Sequence, residues 1–134
     1  MHGYQFTDAT DTWDSNWLRV TVRFRGAGGS VTVSGSELDT VSFHTLRKGL
    51  IAMRDTLAGE AVLASVEPTV KVQVKFADSL GHVACRVDLT PDHMHERHSF
   101  EFSGMDQSEL NGLIAQVDVI MRKYPFKGAA ERGV

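Results

Sequence analysis

The order of local patterns along the chain is the feature that most constrains its fold. The chain runs twice through segments in which apolar and polar residues alternate, followed by a segment whose apolar residues recur at three- and four-residue spacing. Alternation is typical of a half-buried strand, and the wider spacing is typical of an amphipathic helix. Runs of strands joined by short turns, each followed by a helix, predict an α+β fold. We expect an antiparallel sheet of about six to seven strands with two amphipathic helices packed on one face.

The strand predictions rest on alternation and on the turn residues between the segments. The glycines at positions 26, 28 and 29 allow a tight reversal, and Asp78 and Gly81 mark a second one. Phe100 and Phe102 alternate with polar residues and are expected to point inward. The predicted strands lie at 4–6, 17–25, 30–34, 61–66, 70–76, 82–89 and around 100–102.

The two helix predictions rest on capping residues. Asp39 or Thr40 can cap the first helix, and Gly59 is expected to stop it. Asp106, followed three residues later by Glu109, predicts a capping box at the start of the second helix.

Length and composition favour a single soluble domain. The 134 residues suit one core, and we expect an ordered part over about 4–125 with loose tails. The polar, acidic beginning resembles no secretory signal, and no apolar run is long enough to span a membrane, which favours the cytoplasm. The single cysteine, Cys85, alternates with valines and is expected to be a buried apolar residue. No cofactor is expected.

The segment Asp14-Ser15-Asn16-Trp17-Leu18, which opens the first long strand, resembles the corresponding entry of a WapI-like family of small bacterial proteins. The capped helices, the strand pair that turns at Gly81, and the closing Tyr124 and Pro125 fit the same family. The resemblance runs from about Tyr4 to Pro125. It implies an immunity protein that neutralises a cognate toxin acting between competing bacteria. It supplies no catalytic residue, and it carries over Trp17, Leu18 and Asp106 only as structural positions.

One predicted sheet face is rich in basic residues. If the helices cover the apolar face, the opposite face carries six basic side chains against the acidic Asp88 and Glu101, in a chain of net charge −3. Such segregation is typical either of a binding surface or of a solvated face whose charges pair across strands. The candidate partner-binding residues are Arg19, Arg23, Arg25, Lys71, Lys75 and Arg86.

The partner expected at such a surface is a protein. The predicted basic face has no exposed aromatic residue on which bases could stack, which disfavours nucleic acid. Acidic loops with Asp8, Asp11 and Asp14 could instead meet a basic toxin, and the sequence leaves both surfaces open. A homodimer joined through an exposed strand edge is a further alternative.

A histidine-rich loop supports a competing function, binding of a metal or another small ligand. On an extended segment His93 and His95 would point the same way, with Asp92 or Glu96 as an oxygen ligand and His98 as a further candidate. A solvated hairpin loop explains the same residues. The chain carries neither a nucleophile elbow nor a phosphate-binding loop, so catalytic residues are not expected and an enzyme is disfavoured.

Overall fold

A computed structural model describes the backbone of residues 1, 3–4, 16–65, 67, 69–92 and 95–126. Within these ranges it contains seven strands, two α-helices and a short 3₁₀ turn before the second helix. The elements are β1 (Gly3–Tyr4), β2 (Trp17–Gly26), β3 (Gly29–Asp39), α1 (Thr40–Thr56), β4 (Glu60–Ala64), β5 (Val70–Phe76), β6 (His82–Asp92), β7 (Glu96–Asp106), a 3₁₀ turn (Gln107–Glu109) and α2 (Leu110–Lys123).

All the described strand pairs are antiparallel, and the predicted α+β class is confirmed. The strands divide between a three-stranded sheet of order β1-β2-β3 and a four-stranded sheet of order β4-β5-β6-β7, where the sequence predicts one sheet. The reason lies in the connection, because β3 continues directly into α1. The chain leaves the first sheet through the helix, and the later strands pair with one another.

Both helices pack on the same face of the four-stranded sheet. The helices bury Phe43, Leu46 and Leu50 of α1 and Val117 of α2 in the same apolar core as Cys85 of β6. Directly opposed residues of antiparallel strands share a face, so the register places Leu63, Val72 and Val87 together on this side, and likewise Ala61, Val74 and Cys85. Burying a large aliphatic side chain contributes about 1.5–3 kcal/mol, so this layer contributes substantially to stability. The other face of the four-stranded sheet is covered by neither helix.

Capping explains where α1 begins and ends. The Asp39 carboxylate accepts hydrogen bonds from Ser42 N at 2.8 Å and from Ser42 Oγ at 2.9 Å, so Asp39 rather than Thr40 is the cap of the two predicted candidates. The helix ends at Thr56, earlier than Gly59, because Leu57 adopts the left-handed conformation with φ of 56°. Its N–H donates to Met53 O at 2.9 Å and closes the last turn.

The second helix begins one turn later than the capping box predicts. Asp106 accepts a hydrogen bond from Ser108 N at 2.9 Å and so caps the 3₁₀ turn. The α-helix then begins at Leu110, with no side-chain cap at Glu109. Asp106 therefore keeps its structural role, applied to the turn that leads into α2.

Helix α1 lies close to strand β4 at Gly49. A Cβ atom at this position would lie 2.8 Å from Ala61 Cα, 2.9 Å from Ala61 Cβ and 3.0 Å from Glu60 O. Backbone atoms cannot move aside as a flexible side chain can, so glycine permits α1 to lie this close to β4.

The two ends of the described chain lie together. Tyr4 donates a hydrogen bond from its hydroxyl to Pro125 O at 2.6 Å, and its ring meets Tyr124 edge-on with centroids 5.8 Å apart. These contacts tie β1 to the residues after α2. Phe6 of the predicted first strand and the predicted loose tail at 127–134 lie outside the described residues.

Candidate interaction surface

The uncovered side of the four-stranded sheet, called here the outer face, carries alternating charges. Strand register sets Lys71 opposite Asp88, Lys75 opposite Glu60, and Arg86 opposite Glu101. His98 faces inward opposite Leu89, so the adjacent Arg97 lies on the outer face. The charged residues of the outer face are thus Glu60, Lys71, Lys75, Arg86, Asp88, Arg97 and Glu101.

Asp88 is the centre of the polar contacts on this face. It lies 3.3 Å from Arg86 Nε and accepts a hydrogen bond from Ser99 Oγ at 2.5 Å. Burial acts to raise the pKa of Asp88, but hydrogen bonds from Ser99 and Arg86 and the nearby charges of Arg86 and Arg97 outweigh it and lower the pKa. The carboxylate therefore stays ionised and offsets part of the positive charge around it.

Three cations of the outer face form no salt bridge among the described residues. Lys71, Lys75 and Arg97 are exposed, and none of them forms an ion pair with another described residue. Their acidic neighbours lie across the strands, so the face presents a pattern of both signs. Such a pattern suits a partner with a complementary arrangement of charges.

The other three predicted binding residues lie in the three-stranded sheet. Arg19, Arg23 and Arg25 are exposed on β2, on the side opposite the buried Leu18 and Val20, as the alternation predicts. Arg23 Nε also donates to Thr32 Oγ1 on β3, at 3.3 Å. The six predicted residues therefore belong to two sheets. Alternation identified which side chains point outward but could not tell which strands share a sheet.

The histidine loop is described only in part. His93 lies outside the described residues, His95 Nδ1 lies 3.1 Å from Asp92 Oδ2, and His98 Nε2 lies 2.7 Å from Glu96 Oε1. Across the part of the chain that the structure describes, no group of three or more His, Cys, Asp or Glu side chains could hold a metal ion. Each described histidine of the loop is thus oriented by one carboxylate.

The acidic residues predicted as an alternative toxin-binding surface belong to the segment before β2. Asp8, Asp11 and Asp14 lie outside the described residues. None of the described helices is long and apolar enough to cross a membrane.

A cleft that the sequence does not predict lies between the β2–β3 hairpin and β7. Phe24 stacks on Phe100 with ring centroids 4.0 Å apart, and Phe102 lies 6.0 Å from Phe24. Phe102 belongs to the helix-covered side, as predicted, yet it remains 40% exposed. The cleft has a volume of about 700 Å³ and runs from the hairpin tip at 26–31 to residues 98–102 of β7. Only the tertiary contact between distant strands creates it.

A smaller apolar cavity of about 230 Å³ lies under the two helices, with Cys85 in its wall. Cys85 is buried, as the sequence predicts, and burial raises the pKa of its thiol. A neutral, buried thiol is a poor nucleophile, and this side chain acts as part of the core.

The comparison with protein families decides what kind of protein carries these surfaces. A family model described as the immunity protein WapI-like family matches residues 1–125. The chain belongs to the WapI-like immunity protein family. No curated protein and no solved structure matches it significantly. The predicted resemblance is confirmed, and membership of an immunity family implies, in general terms, a role in neutralising a toxin.

Proposed function

We propose that the chain neutralises a cognate bacterial toxin by binding it and occluding the surface that the toxin needs. The observation that carries this proposal is the family match over residues 1–125, which includes every described strand and helix. Inhibition by occlusion requires a rigid surface and no catalytic group. A sheet backed by two packed helices supplies such a surface.

We further propose that the toxin binds the outer face of the four-stranded sheet. Both helices pack on the opposite side, so this face is free of the elements that form the core. Lys71, Lys75 and Arg97 offer exposed positive charge, while Asp88 and Glu101 interrupt it. A partner with acidic groups in a matching pattern would gain both association rate and specificity from this arrangement.

The function is tested by capture followed by a protection assay. Native mass spectrometry of the tagged chain from its own host would identify a stoichiometric protein partner. That partner, expressed alone in a test bacterium, should stop growth, and co-expression of the chain should restore it. A partner that is harmless alone, or one whose toxicity the chain leaves unchanged, would contradict the immunity role.

The binding face is tested by three matched double charge reversals, each changing the net charge by the same amount. Lys71→Glu/Lys75→Glu alters the outer face, and Arg19→Glu/Arg25→Glu alters β2. Lys48→Glu/Arg122→Glu alters two exposed helix residues and serves as the control.

If the outer face binds, only the first variant should weaken toxin affinity, by about tenfold at low ionic strength, with less effect in high salt. Circular dichroism would confirm that all three variants are folded. Loss of affinity in the second variant alone would move the interface to β2. Equal affinity in all three would reject charge complementarity on either sheet.

A further inference from the structure

Strand β7 is the last strand of the four-stranded sheet, and the β2–β3 hairpin lies across a cleft from its outer edge. On one side β7 pairs with β6 along most of its length, Glu96–Asp106. On the other side, none of the strands that the structure describes is paired with it. An edge of this length offers a row of backbone donors and acceptors that another strand can pair with.

The charges along β7 fit a second copy of the same strand in one register. Arg97, Ser99 and Glu101 alternate on the outer face. When two identical strands pair antiparallel about a twofold axis perpendicular to the sheet, one residue faces its own copy, and its neighbours pair reciprocally. With Ser99 on the axis, Arg97 of each copy faces Glu101 of the other, which makes two opposite-charge pairs.

Three neighbouring registers are less favourable. An axis at Arg97 or at Glu101 sets two like charges directly opposite each other, which is destabilising. An axis at Phe100 sets Arg97 opposite Ser103 and Glu101 opposite Ser99, so neither charge meets its complement. The pattern on this strand therefore favours pairing about Ser99.

Both charged residues are available for such contacts. Arg97 and Glu101 are exposed, and neither forms an ion pair among the described residues. By contrast, Arg86, on the interior strand β6, already lies 3.3 Å from Asp88.

The cleft between β7 and the β2–β3 hairpin lies beside the residues around the proposed axis. The cleft of about 700 Å³ borders residues 98–102, which are centred within one residue of the proposed axis. Its far wall is the hairpin tip, where Gly26, Ala27, Gly28 and Gly29 are all exposed and carry almost no side chain. Phe102, which is 40% exposed at this cleft, would be covered by an added strand.

We propose that the protein forms a twofold homodimer in which β7 pairs antiparallel with β7 of a second copy, with Ser99 on the axis. The two four-stranded sheets then become one continuous eight-stranded sheet. The outer faces of the two copies lie side by side, so the dimer would present two sets of the exposed cations at once.

The charge pairs are tested by reversing one residue, then both. Molar mass would be measured by light scattering and sedimentation across a wide range of concentration. The wild-type chain should shift from monomer to dimer. Arg97→Glu alone and Glu101→Arg alone should each raise the dimer dissociation constant at least tenfold, because like charges then face each other twice.

The double variant Arg97→Glu/Glu101→Arg should return the dissociation constant to within a few-fold of wild type, since the pairs are restored with opposite polarity. Lys75→Glu, on the same face but two strands from the edge, is the matched control and should leave dimerisation unchanged. A wild-type chain that is monomeric at every concentration would overturn the proposal. So would single variants that dimerise as well as wild type, or a double variant that stays as weak as the single ones.

The register is tested by cysteine cross-linking. Ser99→Cys places two thiols opposite each other on the axis, so mild oxidation should give a covalent dimer. Ser103→Cys, at another exposed position of β7, is the control. Position 103 lies four residues from the axis in each copy, so its two thiols would be about 26 Å apart along the strands. Cross-linking at position 103 and not at 99 would reject the register.

Both experiments use the chain alone, so their outcome is independent of toxin neutralisation. If a toxin strand occupies this edge instead, the isolated chain will be monomeric and toxin binding will protect Ser99→Cys from alkylation. That result would overturn the homodimer.

Discussion

Glycine-to-alanine substitution should have opposite effects on the two helices. Gly49 lies inside α1 and Gly112 inside α2. An added methyl group at Gly49 would meet Ala61 of β4 at 2.8–2.9 Å, whereas at Gly112 nothing lies within 4 Å. The same chemical change is therefore made once at a close packing contact and once in open space.

The magnitudes follow from two competing effects. Alanine is favoured over glycine in a helix interior by about 0.8–1 kcal/mol, and this gain applies at both positions. At Gly49 the helix and strand must also separate, and overpacking of this kind costs about 1–3 kcal/mol. We expect Gly112→Ala to stabilise the protein by nearly 1 kcal/mol and Gly49→Ala to destabilise it by about 1 kcal/mol, a difference of roughly 2 kcal/mol.

Equilibrium unfolding in urea, followed by circular dichroism, measures this difference. The midpoint should rise for Gly112→Ala and fall for Gly49→Ala, with the same dependence on denaturant in both variants because the buried surface is unchanged. Gly49→Ser should be at least as destabilising as Gly49→Ala, since its side chain is larger.

Equal stabilisation by the two alanine variants would refute the reasoning. It would mean that the contact between α1 and β4 relaxes without cost, and that helix propensity alone sets the outcome. A lower dependence on denaturant in Gly49→Ala would instead indicate that the variant no longer unfolds from the same native state.

Three further changes test individual contacts. Asp39→Ala should lower the free energy of unfolding by about 1 kcal/mol in urea titrations, since it removes the cap of α1, while Asp39→Asn should retain most of it. Arg47 Nε and Asp118 Oδ1 lie 2.5 Å apart between the two helices, and both side chains are partly exposed. A double-mutant cycle of this pair should give a coupling energy of about 0.5–1 kcal/mol that falls in high salt. Zero coupling at low salt would show that the pair does not join the helices. The hydrogen bond from His82 is the largest cause that lowers the pKa of Asp78. Because this carboxyl has a depressed pKa in the folded state, its contribution to stability is present above its unfolded pKa and is lost as pH falls through the folded value. NMR titration of His82→Ala should move the Asp78 pKa upward, and an unchanged pKa would exclude His82 as its main partner.

The sequence correctly predicted which side chains of β2 are exposed and which are buried. Alternation identified Arg19, Arg23 and Arg25 as exposed and Leu18 and Val20 as buried, because a strand places successive side chains on opposite faces whatever its neighbours are. The candidate surface could be predicted only as a set of outward residues. Its division between two sheets depends on strand pairing, which is a long-range property.

Local signals also located the helix starts better than the helix ends. Asp39 caps α1 through Ser42, three residues away, and such a contact is visible in the sequence. The end at Leu57 was not predicted, since a leucine in the left-handed conformation contradicts local preference.

The sequence by itself determined the elements that depend on neighbouring residues: the strands, the helices, the N-terminal cap of α1 and the burial of Cys85. The tertiary structure decided which strands form each sheet, how Ser99 of β7 reaches Asp88 of β6, why Gly49 must be small, and where Phe24 meets Phe100. The physical reason is the separation along the chain between the residues that interact. Backbone conformation and side-chain alternation are set by contacts a few residues apart, whereas sheet membership and charge pairing join residues that meet only after the chain has folded.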